Sequence, residues 1–397
     1  MECTRSSLLL SLLVLLAPLT AMTASLSPDP MAASVERVKG SPKSRIWVTT
    51  TGRDLAAYSL ARRHWQTFRG NVKGGVAATS YERDGKWVER IFVPSGNAIV
   101  DLAVEDGVAV SEHLLRTETG DSFESSDVHV LSYGERLAVA AISTVGHFCV
   151  WEGTLAAGFS RPVCSGPGYA GKDSAIAGEV NGGRTYPVFF VRGADDRLIA
   201  IRGMWVYFGT HRSLILIDYN LGTPPATAGI GNPIANFTHA AAGHTEIAAL
   251  AGNAVWIAQF DMDSMNVTWK RLSKPPSVPR DHKAALSIDG SWFSTFTSDM
   301  KQCRTNVYMA GTDGRLHVSG GGSTIWNGAA CLASIYADDA WNSLPAHASG
   351  RWRTTQTVPT MHNIHIRWLA IFGANQEPLS ARLLEHTASG VVDHGQP

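Results

Sequence analysis

The residues of this 397-residue chain whose types best suit chemistry are aromatic. Twelve tryptophans are spread along it, and Trp65, Trp269, Trp326 and Trp352 fall near expected strand ends. A tryptophan offers a broad π face that stacks on the aliphatic side of a sugar ring, and its N–H can reach a polar group. Most of the twelve are expected to pack in the core instead. Asp338-Asp339 lies next to Tyr336 and Trp341, which would set carboxylates beside two such faces. Acid–base work needs two carboxylates in different environments turned to one substrate. Adjacent residues of a strand point to opposite faces, so this stretch reads as a loop near a candidate ligand site, and Asp195-Asp196 reads as a turn. The same alternation separates His362 from His365. Asp261-Met262-Asp263-Ser264-Met265-Asn266 lacks the glycine and final glutamate of an EF-hand loop. No metal and no cofactor is expected. The chain carries no G-x-S-x-G elbow, H-E-x-x-H, P-loop or G-x-G-x-x-G after a strand. The commonest hydrolases, zincins and nucleotide enzymes are thereby removed, but not enzymes whose sites come from scattered loops.

What must position these residues is read from composition and pattern. Basic and acidic residues balance at 34 each, with no basic stripe, so neither nucleic acid nor an anionic membrane is an expected partner. Charged residues make up only 17%, and glycines number 38; that mixture suits many short strands joined by tight turns. Strand-like runs bounded by turn residues include Val88–Val93, Ile99–Val104, Leu137–Ser143, Pro187–Arg192, Leu198–Arg202, Ser213–Asp218, Ala254–Phe260, Asn306–Ala310 and Leu316–Ser319. Ala240–Ala251 suits either a helix or a crowded inner strand.

The runs repeat. A small-residue stretch, a strand, a tight turn and a second strand recur with turns at Ser95-Gly96-Asn97, Ala194-Asp195-Asp196 and Thr312-Asp313-Gly314. The gaps are twice a unit of roughly 50–60 residues, the size of a four-stranded propeller blade, leaving one unmatched unit in each gap. A lone blade cannot bury both faces of its sheet, and radial stacking does so. The expected fold is all-β, a single six- or seven-bladed β-propeller over residues 46–390.

This grammar resembles the fucose-specific lectin propellers of fungi and related bacterial lectin propellers. Their blades run from a small-residue strand to one of the form I-R-V-Y, then a D-G turn. The local matches are Glu89-Arg90-Ile91-Phe92-Val93-Pro94-Ser95-Gly96-Asn97-Ala98-Ile99 and Thr305-Asn306-Val307-Tyr308-Met309-Ala310-Gly311-Thr312-Asp313-Gly314-Arg315. The resemblance implies glycan sites between blades built from an arginine, a glutamate and aromatics. It carries over to Arg90 alone, because Asn306 replaces the arginine in the second match and no glutamate follows either turn. Ser287-Ile288-Asp289-Gly290-Ser291-Trp292 is an incomplete version of the sialidase Asp-box.

The N-terminus reads as an export signal over residues 1–24: Arg5, the apolar run Leu8–Leu19, then small residues at Ala21, Thr23, Ala24 and Ser25. That run is too short to cross about 30 Å of hydrocarbon. Residues 25–45 read as a flexible lead-in. Four cysteines remain after Cys3 leaves, and of three possible pairings the sequence-close Cys149–Cys164 and Cys303–Cys331 are favoured. Asn236 and Asn266 begin glycosylation sequons. The expectation is a secreted, non-enzymatic protein that binds a carbohydrate or small-molecule ligand, with Arg90, Trp65, Trp326, Tyr336 and Trp341 as candidate contacts. The alternative is a secreted enzyme with a pocket at the propeller's central channel, acting on a glycan or as a metal-free cyclase or isomerase.

Overall fold

A computed structural model describes residues 45–49, residues 54–272 apart from 60–61, 73, 125, 134, 156–157, 181–185, 209–210, 240–243 and 262–263, and the later strands named below. Every regular element among them is a strand. The first sheet holds β1 (Arg45–Thr49), β2 (Leu55–Ser59) and β3 (His64–Arg69). The second holds β4 (Ala77–Arg83), β5 (Lys86–Ser95), β6 (Ala98–Glu105) and β7 (Val108–Leu115). In the third are β8 (Val128–Tyr133), β9 (Arg136–Ile142), β10 (Phe148–Thr154) and β11 (Val163–Cys164). The fourth has β12 (Ile176–Val180), β13 (Pro187–Arg192), β14 (Leu198–Phe208) and β15 (His211–Gly222). The fifth has β16 (Ile234–His239), β17 (His244–Ala251), β18 (Ala254–Asp261) and β19 (Asn266–Arg271). The sixth starts with β20 (Leu286–Ser294), β21 (Lys301–Ala310) and β22 (Leu316–Gly320). A ribbon of β23 (Ile325–Trp326) and β24 (Ala329–Ala330) follows, and β25 (Trp341–Ser343) completes the sheet. The seventh holds β26 (Trp352–Val358), β27 (Ile366–Gly373), β28 (Ala381–Thr387) and β29 (Gly390–Asp393).

All ladders are antiparallel and run in chain order. First strands of successive four-stranded sheets touch, β4 on β8, β8 on β12, β12 on β16, β16 on β20 and β20 on β26. The sheets are therefore blades of a propeller. Among the described residues seven such sheets succeed one another, the larger of the two expected counts. The unmatched units fall where expected, because the hairpins β9–β10 and β17–β18 lie between the recognised turns. The described part of Ala240–Ala251, His244–Ala251, is strand β17, with Thr245–Ala251 buried.

Burial explains why strands win. Second strands are covered on both faces: Val88–Val93 in β5, Leu137–Ile142 in β9 and all of β13 are buried. Outer strand β7 is exposed along nearly its whole length. Each sheet can exclude water only by facing two neighbours. The cores accordingly lie between sheets, with Phe92, Phe123 and Trp151 between the second and third, Phe148 and Phe189 between the third and fourth, and Phe190 and Phe260 between the fourth and fifth. Each such side chain contributes roughly 1.5–3 kcal/mol on burial. Gly96, at φ 62°, supplies the left-handed residue that the tight β5–β6 turn requires.

Polar latches join first strands near their starts. Ser126 Oγ accepts from Ile142 N–H at 3.1 Å, and Ser174 Oγ accepts from Arg192 N–H at 2.9 Å, the same device one blade later. Asp127 accepts from Val128 N–H at 3.0 Å and from Ile176 N–H at 2.7 Å, which ties the third sheet to the fourth. Burial pushes its carboxyl up to about 7 despite those two donors. Burial takes His129, on the adjoining β8, down to about 4. The Asp127 value lies above its unfolded value of about 3.9, so its contribution to stability is complete below pH 4 and is lost as pH rises to 7. His129 works oppositely: its contribution is complete above pH 6.5 and is lost as pH falls to 4. Relative to the unaltered protein, Asp127→Asn is expected to gain stability between pH 5 and pH 8, by about 1.4 kcal/mol for each pH unit from 5 to the folded value of about 7. Thermal melts at the two pH values check this, and an equal offset at both would remove Asp127 from the account.

Candidate ligand-binding groove

Residues of the second and third sheets line a groove of about 670 Å³. That lies within the ~300–1,000 Å³ range of small-molecule sites. Its floor is a charged pair. Arg90 on β5 and Asp101 on β6 point from the same face, since Phe92 stands opposite Asp101 and Arg90 opposite Ala103. They are diagonal neighbours, within reach for long side chains. Arg90 Nε donates to Asp101 Oδ1 at 2.9 Å and Nη2 donates to Oδ2. Nη1 reaches across to the Thr154 carbonyl at 3.4 Å. The two side chains are 8% and 1% exposed, so the pair is fixed and largely dry.

Aromatic rings cover the pair. The Arg90 guanidinium lies 5.8 Å from the Phe92 centroid and 5.1 Å from that of Phe159, close enough for cation–π attraction. The two rings meet edge to face at 5.8 Å. Phe159 sits in the segment between β10 and β11 and bridges back to Gly153. A Cβ on Gly153 would fall 2.7 Å from Phe159 Cδ1, so only glycine lets the ring lie against the strand.

Two bonds fix the side walls. Tyr81 Oη donates to the Leu155 carbonyl at 2.9 Å, and Trp151 Nε1 donates to the Arg116 carbonyl at 3.3 Å. Both cross from one sheet to the other. At the mouth, Arg161 pairs with Glu118 at 2.6 Å, but their side chains are 87% and 69% exposed. Such a pair is worth at most about 1 kcal/mol and opens readily. Arg83, His113, Leu114 and Val110 complete the rim, with Val110 and Leu114 half exposed. Arg83 pairs with Glu105 at 2.8 Å, and that hydrogen bond holds the Glu105 carboxyl below its ordinary value.

Of the residues singled out by sequence, Arg90 lies in this groove. Trp65 does not: it is in β3 of the first sheet, its ring 5.1 Å from Tyr58. Trp326 and Trp341 belong to β23 and β25, where only the backbone is described, and Tyr336 lies outside the described residues. Cys149 and Cys164 are bonded, at paired positions of β10 and β11. The Cys303–Cys331 pairing lies outside the described residues, as do His362, His365, Asp338 and Asp339. Asp196 does sit in a turn, at φ 59°. Asn266 is exposed at the start of β19, whereas Asn236 is described only as backbone in β16. Sequence reasoning missed Asp101, Tyr81, Phe159 and Arg116. Asp101 left a trace as the lone acid inside the apolar run Ala98-Ile99-Val100-Asp101-Leu102-Ala103-Val104.

No family model and no curated protein matches the chain. Among solved structures it is similar to the WD40 domain of SCAP from fission yeast, at 9% identity and TM-score 0.50, covering 88% of this chain and 80% of that one. It is also similar to AofleA from Arthrobotrys oligospora, at 10% identity and TM-score 0.47 with 92% and 94% coverage. The fucose-specific lectin of Aleuria aurantia is 12% identical, with TM-score 0.45 and 82% and 95% coverage. At these identities the likeness concerns the fold alone. The chain is a β-propeller, and fungal fucose-lectin propellers are among its structural neighbours.

Proposed function

We propose that this chain is a secreted glycan-binding β-propeller that holds a sugar in the groove between its second and third sheets. The observation that supports this most is the pairing of a buried, fixed Arg90–Asp101 floor with the Phe159 ring and the flanking Tyr81 and Trp151. A sugar presents hydroxyls on its edges and C–H groups on its faces, and this groove offers polar and aromatic surface to match. We read the role as binding without reaction because Arg90 and Asp101 are committed to each other, which leaves neither as a free acid or base. The neighbouring Aleuria aurantia lectin is fucose-specific and has been seen with alpha-methyl-L-fucoside, and its likeness to this chain is one of fold alone. Export is inferred from the Leu8–Leu19 run, and the Cys149–Cys164 bond suits an oxidising compartment. The exposed Asn266 suits glycan attachment there.

Immobilised-glycan screening of the full chain tests the reading. Phe159→Ala is expected to weaken retention about tenfold or more, in line with roughly 1–3 kcal/mol for loss of a stacking ring. Retention of no glycan by the unaltered protein sinks the proposal.

A further inference from the structure

The groove's charge is lopsided. Arg83, Arg90, Arg116 and Arg161 line it with His113, against Asp101 and Glu118. The acids are already committed: Asp101 is bound by Arg90, and Glu118 by Arg161. Arg116 differs from the other three arginines. Its backbone is anchored, since Leu115 before it is buried and its own carbonyl accepts the Trp151 N–H. Its side chain stands exposed on the groove wall with no hydrogen-bond or ion-pair partner among the described residues. A guanidinium presents a planar fork of donors that fits a carboxylate or sulfate with two parallel bonds. Beside it, the Arg161–Glu118 pair can part at small cost and release a second fork at the mouth.

We infer that the groove prefers an acidic saccharide, its ring against Phe159 and its carboxylate or sulfate ester on Arg116. This rests on the glycan-binding reading above and narrows it to an anionic class. A charge-assisted contact of this kind contributes about 1.5–3 kcal/mol, or roughly 10- to 150-fold in affinity. The bound anion also makes retention weaken as salt rises, because the groove mouth is solvent-exposed.

The test titrates the full chain with three probes on one ring scaffold: a uronic-acid oligosaccharide, its neutral carboxyl-reduced counterpart, and a sulfated form. Expected are at least tenfold tighter binding of one or both acidic forms, weakening between 50 mM and 500 mM salt, and loss of that advantage in Arg116→Gln, read as the ratio of acidic to neutral affinity. The carboxylate and sulfate arms show which anion the site takes. Equal binding of acidic and neutral probes overturns the anionic preference while leaving the glycan-binding reading intact. An acidic preference that persists in Arg116→Gln overturns the assignment of the anion to that residue. Binding of none of the probes, together with an empty glycan screen, overturns both readings.

Discussion

Asp101→Ala is expected to lower stability by about 3–5 kcal/mol and to abolish ligand retention. The cost comes from Arg90, whose guanidinium would stay between Phe92 and Phe159 at 8% exposure with its counter-charge gone. A buried cation stripped of its partner is penalised far more than the intact pair is rewarded. The melting temperature should fall on the order of 10 °C. Stability loss alone would not show a binding role, so the informative companion is the double variant Arg90→Met with Asp101→Leu. Replacing both charges by apolar groups of similar bulk removes the stranded cation and recovers most of the stability. Glycan retention should stay lost, because the polar floor is gone. If Asp101→Ala melts with the unaltered protein, the pair is not what holds the floor in place.

The second large effect concerns the bond between Cys149 and Cys164. Fifteen positions separate the two cysteines, and closing a loop of that size restrains the unfolded chain by about 3 kcal/mol. The enclosed segment is also a wall of the groove, since it carries Leu155, Phe159, Ser160, Arg161 and Pro162. Cys149→Ala with Cys164→Ala should therefore reduce stability and ligand affinity together, whereas a core truncation elsewhere would reduce only the first. Reductant should reproduce both effects in the unaltered protein. Any further shift that it produces in the double variant reports on Cys303 and Cys331. Unchanged affinity in the double variant would show that the wall keeps its place without the bond.

The sequence showed the architecture better than the site, for a physical reason. Blade rhythm is local: Gly96 in its turn and the strand-like runs Val88–Val93 and Ile99–Val104 each report conditions met within a few residues, and all are found as expected. The groove is non-local. Arg90 meets Asp101 through cross-strand register, and Phe159 arrives from the next sheet along a segment with no strand pattern. A tryptophan's type says that it has a face to offer, not which neighbour takes it. Trp65 lies near Tyr58, and Trp151 became a groove wall by donating to the Arg116 carbonyl. The resemblance to lectin blades singled out Arg90, which lines the groove, but carried no sign that Asp101 binds it.

Among the described residues of the first five sheets, an arginine bound to an aspartate of the neighbouring strand in its own sheet occurs once. On the face that each sheet turns to the next, the place of Arg90 is taken by Arg45 in β1, Ala138 in β9, Val188 in β13 and Glu246 in β17. Arg45 is held by Glu89 at 3.0 Å. In the first five sheets this floor is thus built once, although the scaffold could have carried it several times. A propeller with sites on every blade cross-links the surfaces it meets. Within these five sheets one groove would hold one ligand, so in them avidity would arise where many copies are displayed side by side.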